Sequence, residues 1–325
     1  MRFLQDASQA RQFERIDFRG STPDRSACAL RLALWSSYLE DRQRIGRFIK
    51  EILVIPSHDV SKQLLLVIKH LPNLERLEWV AWSGKGFYPP SRPSDRPALR
   101  SLKLTLHDRG DPCEMPSAYF DLSLLRVLEI NTPDNQRHTE RLLRDVSEGL
   151  MGLSVLNFEC EDLPVVMQAI RRFKHLTDLS LIIWRSTSAL PADLLTPFHS
   201  LRRLKLAHDD IGTAFSQPLA SLELLVISYP PDDWPGVEEK EGFPPSHPLA
   251  RNVATVCQLV KDHPTHFPAL KAIGLDPPYE AVSFATKASQ QTIGLAAMAE
   301  QVQKTGLRLL DAKGVVWQRD CESAV

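Results

Sequence analysis

One six-residue pattern, apolar-x-x-apolar-x-apolar, returns along this 325-residue chain at a spacing that selects one kind of architecture. Full copies begin at Leu74, Leu99, Leu125, Leu153, Leu176, Leu201 and Leu222. In the second of these the apolar positions are Leu99, Leu102 and Leu104, with Arg100, Ser101 and Lys103 between them. Degenerate copies begin at Phe13, Ile49 and Leu270. From position 49 to position 222 successive starts lie 21 to 28 residues apart; the first interval is 36 and the last is 48, about two periods. Most units carry a further apolar residue three positions earlier, among them Leu71, Leu122, Leu150, Phe173, Phe198, Leu219 and Phe267. The repeat accounts for the leucine content, about one residue in seven.

A period of 20–29 residues with this internal spacing is the leucine-rich-repeat signature. The alternating x-L-x-L piece predicts a short strand that turns every second residue inward. The rest of each unit must carry the chain back to begin the next parallel strand, which takes a dozen or more residues and is often helical. A set of unrelated amphipathic helices fails to explain why a period of two returns in every unit. No single unit can bury its apolar edge, so the units must stack. The expected fold is an α/β leucine-rich-repeat solenoid, a horseshoe with parallel strands on the concave face and helices or loops on the convex face.

The same spacing organises the chain. Residues 1–48 are expected to form an N-terminal capping region, a strand plus a helix over 27–41. Residues 49–228 hold the repeats, with helical returns at 59–71, 139–150 and 163–173. The returns at 191–198 and 211–219 have room for only a turn or two. Residues 229–249 read as a Pro-rich, acidic loop insertion. Residues 250–325 predict degenerate repeats and a cap: a helix near 250–263, a strand at 270–275, a helix at 290–304, and a closing strand at 307–310 or 315–317. Trp35 and Trp79 fall at core positions.

Composition removes several classes of function. Thirty-nine Lys and Arg against 40 Asp and Glu give a net charge of −1, without the positive field that nucleic acid or an anionic membrane requires. No apolar run reaches the roughly 18 residues of a membrane span, and the first residues hold no signal-peptide core. The five cysteines are scattered, with no C-x-x-C pair, as expected of reduced, buried thiols in the cytoplasm or nucleus. Catalytic signatures are absent: no G-x-S-x-G elbow and no H-E-x-x-H pair. Gly84 and Lys85 lack the rest of a phosphate-binding loop. His58-Asp59, His107-Asp108 and His208-Asp209 each follow a strand, where Asp serves a turn. His263 and His266 have no third ligand nearby. The reading is a protein that is not an enzyme and holds no cofactor or metal.

What remains is binding, to a protein rather than to nucleic acid or membrane. Residues between the inward leucines project onto the concave face; Glu78, Lys103, Glu129, Asn157, Asp178 and Lys205 are the candidate contacts there. A second set, Trp82, Phe87, Tyr88, Trp184 and Trp234, follows the strands and is expected to form an aromatic rim, the residue types favoured at interface hot spots.

Four stretches carry a family resemblance: FERIDF at 13–18, RLALWSSYLEDRQRIGRFIKEILV at 31–54, HLPNLERLEW at 70–79 and QVQKTGLRLL at 301–310. They resemble the portion just after the F-box in fungal F-box/leucine-rich-repeat proteins, and the likeness extends over nearly the whole chain. It implies the substrate-recognition part of a ubiquitin-ligase adaptor, with a degradation substrate as partner. The segment ahead of Phe13 holds no L-P-x-E-[LI] helix start. Binding of the linker subunit of a cullin ligase is therefore expected only with an F-box upstream. The other expectation is a stand-alone repeat scaffold unconnected with ubiquitin.

Overall fold

Each alternating segment becomes a short strand that starts two residues into its repeat. The structure, a computed structural model, describes residues 14–17, 35, 38–39, 43–54, 66–80, 96–105, 119–131, 143, 152–160, 167–168, 170–183, 190–208, 210–228, 247–276, 294–311 and 313–317. The chain divides into two units, Met1–Phe158 with Gln168–Phe173, and Glu159–Met167 with Lys174–Val325. In each unit the strands run parallel and pair in chain order, as the repeat spacing requires of an α/β repeat solenoid.

The first unit holds β1 (Arg15–Asp17), β2 (Glu51–Val54), β3 (Arg76–Val80), β4 (Ser101–Thr105), β5 (Val127–Asn131) and the first four residues of β6 (Val155–Cys160). Register stacks the inward residues into columns. Ile52, Leu77, Leu102 and Leu128 form one; Val54, Trp79, Leu104 and Ile130 form the next. None of these eight is more than 2% exposed. The leading leucines Leu74, Leu99, Leu125 and Leu153 are buried as well.

The backbone fixes that register one residue ahead of each strand. The Lys50 carbonyl accepts from the Glu75 and Arg76 N–H groups at 2.8 and 2.9 Å. The Glu75 carbonyl accepts from Arg100 and Ser101, and that of Arg100 from Arg126 and Val127. A slip of one residue would turn every leucine to the other face, so burial and hydrogen bonding select the same pairing. Helical structure among the described residues of this unit is limited to α1 (Gln43–Gly46), residues 66–68, and positions 35, 38–39, 143, 168 and 170. Trp79 is fully buried, as expected, but Trp35 is only half-buried and meets Tyr38 edge-on, with ring centroids 5.6 Å apart.

The second unit holds β7 (Asp178–Ile183), β8 (Arg203–Ala207), β9 (Leu224–Ser228), β10 (Ala272–Asp276) and β11 (Arg308–Leu310). Leu179, Leu204, Leu225, Ile273 and Leu309 stack in register, with Leu181, Leu206, Ile227 and Leu275 beside them. The short returns are turns. One buries Leu190, Leu194, Leu195 and Phe198; the other is a 3₁₀ turn, Gly212–Phe215, begun by Asp210, whose carboxylate accepts from the Gly212 N–H at 2.9 Å. The Thr213 hydroxyl ties the second turn to the first through the Leu190 carbonyl at 2.8 Å.

Two longer helices complete this unit. α2 (Pro248–Asp262) opens with Pro at its first position, where the missing N–H costs least. Leu249, Val253, Val256 and Cys257 line one stripe and are buried. α3 (Leu295–Gln303) begins after Gly294, whose φ of 82° is a left-handed conformation that an α-helix cannot continue through; positions 290–293 of the predicted 290–304 lie outside the described residues. Both predicted closing segments are used: Leu310 at the end of β11 bridges antiparallel to Val316, and the Asp311 carboxylate accepts from the Lys313 and Val315 N–H groups to hold the turn between them. No helix among the described residues is long and apolar enough to cross a membrane.

Candidate functional site

Residues between the inward leucines form the opposite sheet face, and in the first unit that face is charged. Register sets Arg15, Glu51, Arg76, Ser101 and Val127 in one row and Asp17, Leu53, Glu78, Lys103 and Glu129 in the next. A groove of about 580 Å³ opens over β2–β5, floored by parts of both rows and edged by Glu75, Arg100 and Arg126.

Opposite charges meet one repeat apart. Lys103 Nζ lies 3.4 Å from Glu78 and 3.6 Å from Glu129, bridging β3, β4 and β5. Arg100 pairs with Glu75 at 3.6 Å and Arg15 with Glu51 at 3.9 Å. Further along the leading edge, Lys50 pairs with Glu14 at 3.2 Å. Lys103 is 46% exposed, so these pairs contribute little to stability. Their charges stay open to exchange with those of a partner, where complementarity governs specificity and association rate.

The six residues expected on the face all sit on strands. Glu78, Lys103 and Glu129 are joined directly. Asn157 is half-buried on β6. In the second unit, Asp178 accepts from the Thr177 hydroxyl at 2.8 Å, and Lys205 is engaged by Asp276 at 2.5 Å. The aromatic rim, Trp82, Phe87, Tyr88, Trp184 and Trp234, lies outside the described residues. Sequence reasoning passed over Glu75, Arg100 and Arg126, which hold the position just after the leading leucine. The signal was there: that position alternates in sign through Glu14, Lys50, Glu75 and Arg100.

His208 Nδ1 accepts from the Asp210 N–H at 3.0 Å, a turn role, while Asp209 and the pairs at 58–59 and 107–108 lie outside the described residues. His263 and His266 stack, centroids 4.8 Å apart. Among the described residues, no three His, Cys, Asp or Glu side chains are grouped so as to hold a metal. Cys257 is buried, and desolvation pushes its thiol up to about 11.

No protein-family model matches the chain, and no curated protein matches it.

Proposed function

We propose that the chain is a non-enzymatic protein-binding repeat module that uses the charged sheet face over β2–β5. The observation that carries this reading is the three-strand bridge from Glu78 through Lys103 to Glu129, a charge pattern centred on an exposed lysine and lining an open groove. A solenoid holds its inner leucines for stability and leaves the residues between them free for recognition. Within that reading, the module is the substrate-recognition part of an F-box-type ubiquitin-ligase adaptor in the cytoplasm or nucleus. The stretches at 13–18, 31–54, 70–79 and 301–310 support this, and the buried free thiol of Cys257 accords with a reducing compartment.

The test places a photo-cross-linking amino acid at Ser101 in the full chain, inside cells, with Gln258 on α2 as control position. A protein partner captured at Ser101 and not at Gln258 is the expected result, and ubiquitin transfer to that partner by a cullin ligase should depend on the chain. Capture without transfer would make the chain a scaffold instead. Absence of any protein at Ser101 would overturn the module itself.

A further inference from the structure

We propose that this groove takes an acidic segment of the partner protein, with two carboxylates seated on Arg76 and Arg126. The inference rests on the protein-binding reading above and adds the chemistry of the ligand. It begins from the pairing of charges. Lys103 is held by Glu78 and Glu129, Arg100 by Glu75, and Glu51 by Arg15. Among the described residues, Arg76 and Arg126 have no carboxylate partner, and both are exposed groove residues. A guanidinium binds a carboxylate through two parallel hydrogen bonds, the geometry these two sites leave unfilled.

Arg126 also has a seat. A Cβ on Gly152 would lie 1.6 Å from the Arg126 Nη1 atom, so the missing side chain is the space the guanidinium occupies. Spacing and charge then describe the ligand. β3 and β5 are two strand spacings apart, about 10 Å, Arg126 leans from β5 toward Gly152 in the next repeat, and an extended chain rises about 3.3 Å per residue, so the acidic residues stand at least about three apart. Glu75 and Glu78 flank Arg76. They oppose a doubly charged phosphoryl group more than two separate carboxylates.

The probe is a fluorescein-labelled peptide with Glu-Ser-Ser-Glu in a Gly-Ser frame, titrated against the full chain by anisotropy. Saturable binding that weakens with salt is expected. Arg76→Gln and Arg126→Gln should each weaken it about tenfold, the effect of losing one charged contact. Gly152→Ala should weaken it with unchanged thermal stability, because only the flexible end of Arg126 must move. A Lys-Ser-Ser-Lys peptide should not bind. Unchanged affinity in both arginine variants, no binding of the acidic peptide, or tighter binding of a phosphoserine peptide would each overturn the inference. If cross-linking at Ser101 still captures a partner in that event, the module stands and only its proposed ligand is wrong.

Discussion

The same positions of the repeat are filled in opposite ways in the two units. On β2–β5 the residues between the leucines are mostly long and charged, and the cations of their ion pairs are exposed, Lys103 at 46% and Arg100 at 63%. On β8–β10 the corresponding row runs Lys205, Val226 and Gly274, with Val226 only 6% exposed. Lys205 reaches Asp276 two strands away, so its aliphatic stem crosses β9 over Val226, as long cationic side chains do when they cover apolar surface. Gly274 leaves room for Val226, since a Cβ there would come within 3.2 Å of Val226 Cγ2. The Ser228 hydroxyl adds a hydrogen bond to the Asp276 carbonyl at 2.5 Å. One face leaves its long charged side chains largely open to solvent, while the other uses its side chains to tie its own strands together. The core constrains neither choice, because both rows point away from the leucines.

If that contrast is correct, the largest effects must be equal in the two units. Leu102→Ala on β4 and Leu225→Ala on β9 remove side chains that are 0% exposed and should each cost about 2–5 kcal/mol in urea unfolding followed by circular dichroism. A cost well below that range at either site would show that the leucine columns are not equivalent. The faces should then separate the units. Asp276→Asn weakens a half-buried charged hydrogen bond and should cost about 1–2 kcal/mol, while Lys103→Met, in an exposed bridge, should stay within about 0.5 kcal/mol. Equal costs would erase the distinction between an open charged face and a packed one.

The sequence made the strands legible because each leucine of x-L-x-L must be buried, and burial leaves a periodic trace. Every predicted strand from 13–18 to 270–275 is present. The partners of the face residues left a weaker trace. Neighbours one period apart, such as Glu75 and Arg100, show up as alternating sign. Lys205 and Asp276 lie 71 residues apart and pair across an intervening strand, so no local spacing records them. The cap of α2 was hidden for another reason. His247 supplies it through Nδ1, 3.1 Å from the Leu249 N–H, where Ser, Thr, Asp or Asn would have announced a helix start. The start of α3 is the reverse case: Gly294 stood inside the predicted helix and marks where α3 begins.

His247 gives the contrast a pH dependence confined to the second unit. Desolvation first, then the nearby Arg251 charge, lower its pKa below the ordinary 6.5. Above about pH 6.5 the folded and unfolded forms are both neutral there, and stability does not depend on this group. As pH falls through 6.5 the unfolded chain takes up the proton first, so stability declines until the folded pKa is passed. The slope from this one group cannot exceed about 1.4 kcal/mol per pH unit. His247→Asn keeps an acceptor for the Leu249 N–H and removes the titration. Unfolding curves of the variant should therefore lose less stability between about pH 7 and about pH 5 than those of the parent. Equal losses would place the acid sensitivity elsewhere.

The smallest effect is kinetic and uses Cys257 on α2 as a reporter. Its thiol is 0% exposed and pushed up to about 11 by burial, so at neutral pH it presents almost no thiolate to an alkylating reagent. Iodoacetamide labelling, resolved by peptide mass spectrometry to separate Cys257 from the other four cysteines, should be slow in the parent protein. It then reports opening of α2 from its packing on β9. Leu225→Ala thins the column under that helix and should accelerate labelling in proportion to its loss of stability. Lys103→Met should leave the rate unchanged, since it alters a surface charge and no buried contact. Fast labelling of the parent at neutral pH would mean that α2 opens on its own, and the packing that distinguishes the second unit would not extend to its helix.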